Sequence, residues 1–420
     1  MKKSIKLLFF LFLACILLVA CSGGDSDTSS NKEDGSKDSK NSDDKIVLKF
    51  AAQNDNTPAT QAAIDAFNES QEKYQVEWVE MTNDSAQMHD QLLTSLSSGS
   101  DEYDILSLDV VWAGEFAGAG YLEPIDVMMN EAGLNKDDFN AGSMASGNYK
   151  GKQYTLPFFP DLGLLYYRSD IVSDEDAEKL QNGNYTYEDL LAMSEKYMGE
   201  GGTTTGFVYQ SGQYEGLTVN LTEFTNSFED IQGGLETLYQ FTKSNATPED
   251  ILTYTEGEAH TAFEQGLAVF ERNWPYALGR ITAQEDGVEI SADQVGIAPL
   301  PNGGAVGGWL LGINSKSKNI EGAWEFVQFL AGPEGQKIMA TKGGYLPGYN
   351  ALLEDEEVVQ SNALLASEAF QKALSTTIAR PVSPEYSKIS DSIQIATHKY
   401  LSTGEGLEDT VSQIEAAVNE

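Results

Sequence analysis

The chain has 420 residues, with 26 Lys and Arg against 65 Asp and Glu, a formal net charge of -39. Such a surface repels phosphate backbones and anionic headgroups, which argues against nucleic acid and against a basic membrane-binding face but not against an uncharged ligand. With 41% hydrophobic and 10% aromatic residues the composition is globular. The roughly 375 residues beyond the N-terminal segment exceed what one core serves, so two lobes are expected.

The chain opens with Lys2, Lys3 and Lys6 and an uncharged apolar run from Leu7 to Ala20, the pattern of a secretory signal over residues 1–20. The run falls short of the roughly 20 residues a bilayer-spanning helix needs. It ends in Leu18-Val19-Ala20-Cys21, which resembles the bacterial lipobox, so Cys21 is expected to become the lipid-modified first residue. One acyl chain binds a membrane only marginally, so more than one is implied. The other cysteine, Cys15, lies in the segment to be removed, and the exported chain can form no internal disulfide. Residues 21–45 are Ser, Gly, Asp and Lys rich without aromatic or branched apolar residues, and read as a solvated tether.

Beyond it, "KIVLKFAAQ" predicts a strand, and Thr57-Pro58 opens a helix with Ala62, Ala63, Ala66 and Phe67 at helical spacing. A strand over Tyr74–Met81, a helix over 84–96, a strand in "YDILSLDV" and a short helix after Trp112 follow. This alternation implies a largely parallel α/β sheet with ligand groups at the carboxyl ends of strands, here Asn54, Asp55, Asp109 and Trp112. From about Phe158 to Leu300, strand-like "GLLYYR", "TGFVYQ", "LAVFERN" and "VGIAPLP" interleave with helices, one starting at Thr186 or Asn184 and one at Thr247-Pro248. A second α/β lobe follows. "NGGAVGGWLLG" reads as a hinge with close backbone approach, since no Lys-Ser/Thr follows to make it a phosphate loop.

No zinc motif, cysteine pair, nucleotide loop or nucleophile with its base stands out, so no metal, cofactor or catalytic residue is assigned. His89, His260 and His398 each stand alone on helix-like stretches and read as surface or packed residues. Instead, aromatic residues recur beside isolated polar ones: Asp109 with Trp112, Phe158-Phe159 with Asp161, Asn273-Trp274-Pro275-Tyr276, and Gly308-Trp309. Sugars ask for this mixture, because hydroxyls need carboxylate, amide or guanidinium partners while the apolar face of a pyranose packs on a ring.

"DILSLDVVWAGEFAGAGYLEPID", "YTLPFFPDLGLLYYRSDI", "AFEQGLAVFERNWPYALGRI" and "GGWLLGINSKSKNIEGAWEFVQFLAGPEGQ" together resemble the family 1 extracellular solute-binding proteins, sugar receptors of ABC importers. Asn273 to Tyr276 and Ala379-Arg380-Pro381 look most like the trehalose/maltose-binding branch. The resemblance implies a two-lobe, maltose-binding-protein-like (type II) α/β fold with a hinge and an interlobe ligand cleft. The lobes would take residues 46–157 with about 306–344, and 158–305 with about 345–420, crossing near 156–159, 305–308 and 343–347. It implies ligand contacts from Asp109, Trp112, Phe159, Asp161, Trp274, Tyr276, Gly308, Trp309, Tyr345 and Arg380, with Asn54 and Asp55 added from the first loop. It also implies a sugar ligand, an ABC permease as partner and no enzymatic activity. A different carbohydrate or polyol is the alternative ligand, and a secreted glycoside hydrolase the rival from another class. A monomer at the outer face of a Gram-positive cell membrane is the expected state.

Overall fold

The computed structural model describes residues 45–55, 57–362 and 364–419. The signal, Cys21 and most of the tether lie outside the described residues. The strands are β1 (Ile46–Gln53), β2 (Tyr74–Met81), β3 (Ile105–Asp109), the short pair β4 (Asn148–Tyr149) and β5 (Lys152–Gln153), β6 (Thr155–Leu162), β7 (Leu164–Arg168), β8 (Thr205–Val208), β9 (Ala268–Asn273), β10 (Val295–Ala298) and β11 (Val306–Ile313). Two sheets organise the molecule, one ordered β2-β1-β3-β11-β6 and the other β10-β7-β9-β8.

Neither sheet is largely parallel. In the first, β1 runs parallel to β2 and β3, whereas β11 is antiparallel to both β3 and β6. The reason is connectivity: β11 re-enters from the second sheet and so starts at the edge where β1, β3 and β6 end. In the second sheet only β8 and β9 are parallel. The carboxyl ends of β8, β9 and β10 nevertheless gather beside the start of β7, so both sheets turn their ligand-collecting edges toward the chain crossings.

Each sheet has its own core. Phe50 packs edge-on against Phe158 at 5.7 Å and Phe326 at 5.4 Å under the first. Tyr187 stacks on Phe224 at 3.8 Å, with Phe207 and Phe241 beside them, under the second.

The first sheet keeps the chain as far as Leu162, which pairs with Val306, so the first crossing lies at Gly163 and not at 156–159. Gly163 and Gly304 touch back to back, and a Cβ on Gly304 would strike the Gly163 carbonyl. The glycine-rich stretch is therefore the close approach that its sequence indicates. The third crossing is spread: Leu346 packs with the second sheet's residues, while Gly348 still accepts from Asn140 N–H at 2.8 Å and Asn350 donates to the Phe139 carbonyl at 2.9 Å.

Helix Ala59–Ser70 follows Thr57-Pro58 as expected: Thr57 Oγ1 accepts from Ala59 N–H at 3.2 Å, and Asp55 accepts from the N–H groups of Thr57 and Thr60. One helix start differs from expectation. The helix expected from Thr247 breaks into a single turn, Ile251–Thr253, and helix Glu256–Glu264, because Thr255 and Glu258 form a reciprocal capping box.

Candidate functional site

Where β3 and β6 end and β11 begins, the first sheet carries a rim of polar and aromatic groups. Trp309 on β11 sits across from Asp109 on β3 and from Phe159 on β6, and Gly307 sits across from Asp161. Gly308 has φ +103 and its carbonyl accepts from Val110 N–H at 3.1 Å; a Cβ there would strike the Phe159 carbonyl on β6, beside the register shift that leaves Phe158 unpaired. Trp309 meets Trp112 edge-on at 5.4 Å.

Arg380 closes one end of the rim. Its guanidinium donates to Glu215 Oε1 at 2.7 Å and the Val306 carbonyl at 3.1 Å, and stands 3.8 Å from Asp109. Its Nε is buried without a partner. Glu215 begins helix Glu215–Phe224 and also accepts from the Tyr386 and Ser390 hydroxyls, each at 2.5 Å. Burial pushes Asp109 above the ordinary carboxylate range, against the pull of Arg380.

At the other end, half-buried Trp274 follows β9. The Arg272 guanidinium lies 4.1 Å from its ring centre, and a Cβ on Gly307 would strike the indole's far edge. The ring thus has a charged backing on one side and bare backbone beside it. Asp161 neighbours both, has no side-chain hydrogen-bond partner among the described residues, and burial pushes it up to about 8 although Arg272 draws it down. Arg272 is itself buried, and donates twice to Glu223, at 2.8 and 2.5 Å. Glu223 accepts from Ala305 N–H at 2.9 Å, directly beneath the paired glycines of the crossings. Carboxylates, a guanidinium and a tryptophan face from two sheets are together equipped to hold a polyhydroxylated ring.

A sequence profile described as bacterial extracellular solute-binding protein matches residues 51–337. The chain belongs to this family. The solute-binding protein is 29% identical over 334 residues to a probable ABC transporter-binding protein of Deinococcus radiodurans, spanning 73% of this chain and 77% of that one. A maltotriose-binding protein of Pyrococcus abyssi is 27% identical over 311 residues, 69% and 64% of the two chains. Maltose-bound T. maritima MalE3 superposes with a TM-score of 0.76 at 27% identity, covering 89% of this chain and 99% of that one. The fold is the two-lobe, maltose-binding-protein-like one, mixed α/β, and the solute-binding protein is not an enzyme.

The structure of this solute-binding protein brings Asp109, Trp309 and Arg380 together, and separately Asp161 with Trp274. Other expected contacts have structural duties. Asp55 accepts from Thr57, Thr60 and the Tyr345 hydroxyl, the last at 2.8 Å, and Asn54 donates to Glu80 at 2.6 Å. Tyr345 lies against Phe159 at 4.5 Å, and Phe159 is itself buried. Trp112 is 6% exposed, within the cluster of His89 and Phe116. Tyr276 is 42% exposed and sits over His260. Nor are the histidines solitary: His89 reaches Glu115 at 3.0 Å, and His260 lies buried between Glu264 and Glu271. His398 meets the Leu252 carbonyl at 3.0 Å. Glu215, Glu223, Glu256 and Arg272 were not singled out in the sequence. Arg272, near the end of β9 and before the Trp-Pro turn, offered a usable signal, a Glu-Arg pair closing the apolar run Leu267 to Phe270.

Proposed function

We propose that this protein is the lipid-held, extracytoplasmic receptor of an ABC sugar importer, capturing a disaccharide or short oligosaccharide of the trehalose/maltose type and presenting it to the permease. The single observation that carries the reading is the Trp274 face, backed by Arg272 and flanked by the Asp161 carboxyl, with Asp109 and Arg380 across the same rim. The two named sugar binders among its relatives, one for maltotriose and one with maltose bound, support the ligand class. Leu18 to Cys21 supports attachment by lipid at Cys21, and with it a Gram-positive source in which the receptor must be tethered. No helix of the described residues is long and apolar enough to cross a membrane. The bound sugar draws groups from both lobes together, and the permease reads the closed form of a monomer.

A thermal-shift panel of maltose, maltotriose, trehalose, cellobiose and mannitol tests this. A ligand at a hundredfold its dissociation constant stabilises the folded state by about 2.7 kcal/mol, so a maltose-type sugar is expected to raise the melting temperature by several degrees. A shift with mannitol alone would move the ligand class to polyols, and no shift with any compound would remove the sugar reading.

A further inference from the structure

Arg380 carries its charge into a nearly closed place: its side chain is 4% exposed, against 20% for Asp109 and 27% for Glu215. A buried guanidinium needs a carboxylate, and two lie within reach. It is bonded to one of them. The guanidinium donates to Glu215 Oε1 at 2.7 Å but stands 3.8 Å from Asp109 Oδ1, beyond hydrogen-bond distance. It also donates to the Val306 carbonyl at 3.1 Å, while its Nε has no partner among the described residues. Its plane is thus set from two sides, by β11 of the first sheet and by a helix that packs under the second.

Glu215 is itself held in place. It is the first residue of helix Glu215–Phe224, whose Leu217 and Leu221 join the second sheet's core, and a helix start suits an anion. From helix Tyr386–Thr403, the Tyr386 hydroxyl donates to its Oε1 and the Ser390 hydroxyl to its Oε2. Ser390 in turn accepts from Gln394 Nε2 at 2.9 Å and meets Thr218 Oγ1 at 2.9 Å. With three donors converging on it, this carboxylate has a fixed position and the guanidinium follows it. Asp109 is held more lightly, its Oδ1 accepting from Val111 N–H at 3.2 Å. The asymmetry matters for a rim that takes hydroxyls. A direct Arg380–Asp109 pair would occupy both groups with each other, whereas the bond to Glu215 keeps the cation placed and leaves Asp109 as an acceptor.

We propose that Glu215 is a positioning residue of the sugar-binding rim: it holds the Arg380 guanidinium off Asp109, so that cation and carboxylate serve the ligand side by side instead of pairing with each other. The inference rests on the sugar-receptor reading.

The test measures dissociation constants of the panel's tightest sugar for wild type, Glu215→Gln, Asp109→Asn and the double variant. Glu215→Gln keeps the side chain's shape and leaves Asp109 the nearest carboxylate, so affinity is expected to fall about fivefold or more. Adding Asp109→Asn to it should cost no more than about a further twofold, because that carboxylate is already taken. Unchanged affinity in Glu215→Gln overturns the proposal, as does wild-type affinity in Asp109→Asn. Losses that multiply overturn it too, since a merely structural Glu215 would give them. A second readout needs no sugar. The chain has four arginines, so nitrogen-15 labelling of arginine gives four Nε–H lines, and Arg380→Lys assigns one. Asp109→Asn is expected to leave that line nearly in place in the otherwise wild-type protein and to move it in Glu215→Gln, where the guanidinium has turned to Asp109. Equal shifts in the two backgrounds contradict the positioning. If Glu215→Gln fails to fold, Glu215→Asp serves: one methylene shorter, it keeps the anion at the helix start but withdraws it from Arg380, and the same response is expected. A wild type that binds no sugar fails the receptor reading, while the Arg380 line still judges the positioning.

Discussion

Glu223→Ala is expected to destabilise the protein by about 3–5 kcal/mol, the range for removing one partner of a buried ion pair. Arg272 and Glu223 side chains are 2% and 0% exposed, so the guanidinium left behind could not recover its solvation. The loss reaches further than the pair. Glu223 also accepts from Ala305 N–H, and the Glu223 carbonyl accepts from Asn302, so one residue ties helix Glu215–Phe224 to the second crossing while Arg272 backs Trp274. Urea unfolding at pH 7 measures the cost, and sugar affinity should fall with it. Glu223→Gln keeps an acceptor for Ala305 and should fall between the two. A loss under about 1 kcal/mol for Glu223→Ala would mean that the pair is no strut of the crossings.

Asp161→Asn should do two opposite things: stabilise the free protein and weaken its grip on sugar. The Asp161 carboxyl is pushed up to about 8, whereas an unfolded aspartate titrates near 3.9. Below both values the group contributes nothing. As pH rises from about 4 to 8 the unfolded chain ionises first, so this residue lowers stability progressively across that window. Asparagine removes the penalty, and the variant should melt above wild type at pH 8.5 with the gap nearly closed at pH 4. It also removes an acceptor free to take sugar hydroxyls, so affinity should drop at least about fivefold, roughly 1 kcal/mol. Melting curves at both pH values and calorimetry check the pair of effects; an equal gap at both pH values, or unchanged affinity, would contradict the role given to Asp161.

The strands were legible because branched and aromatic runs mark them, and of the two expected caps, Thr186 and Asn184, it is Thr186 that forms, with Asp189 completing its box. Thr247-Pro248 misled because the signal of a helix start recurs at Thr255, where Glu258 completes the box and wins. The first crossing at 156–159 came from the resemblance alone, and only the pairing of Leu162 with Val306 and of Leu164 with Asn273 shows that the two sheets divide at Gly163. Of the proposed site, the aromatic members and Arg380 could be read, whereas Arg272 was missed. Glu215 and Glu223 could not: they are two among 65 acids, and Glu215 acquires its part from Arg380, 165 residues away. Asp55 has a structural duty the sequence does not announce, since a carboxylate at a strand end suits a ligand as well as it suits the helix it caps.

The proposed receptor holds its sugar on the Trp274 face between groups of both lobes. Isothermal titration of wild type and Trp274→Ala with maltotriose and the panel's best sugar tests it most directly. One site per chain in the wild type, and affinity reduced tenfold or more in a variant that melts normally, is the result expected for a buried aromatic anchor. Equal affinity in the two proteins would place the sugar elsewhere and contradict the account.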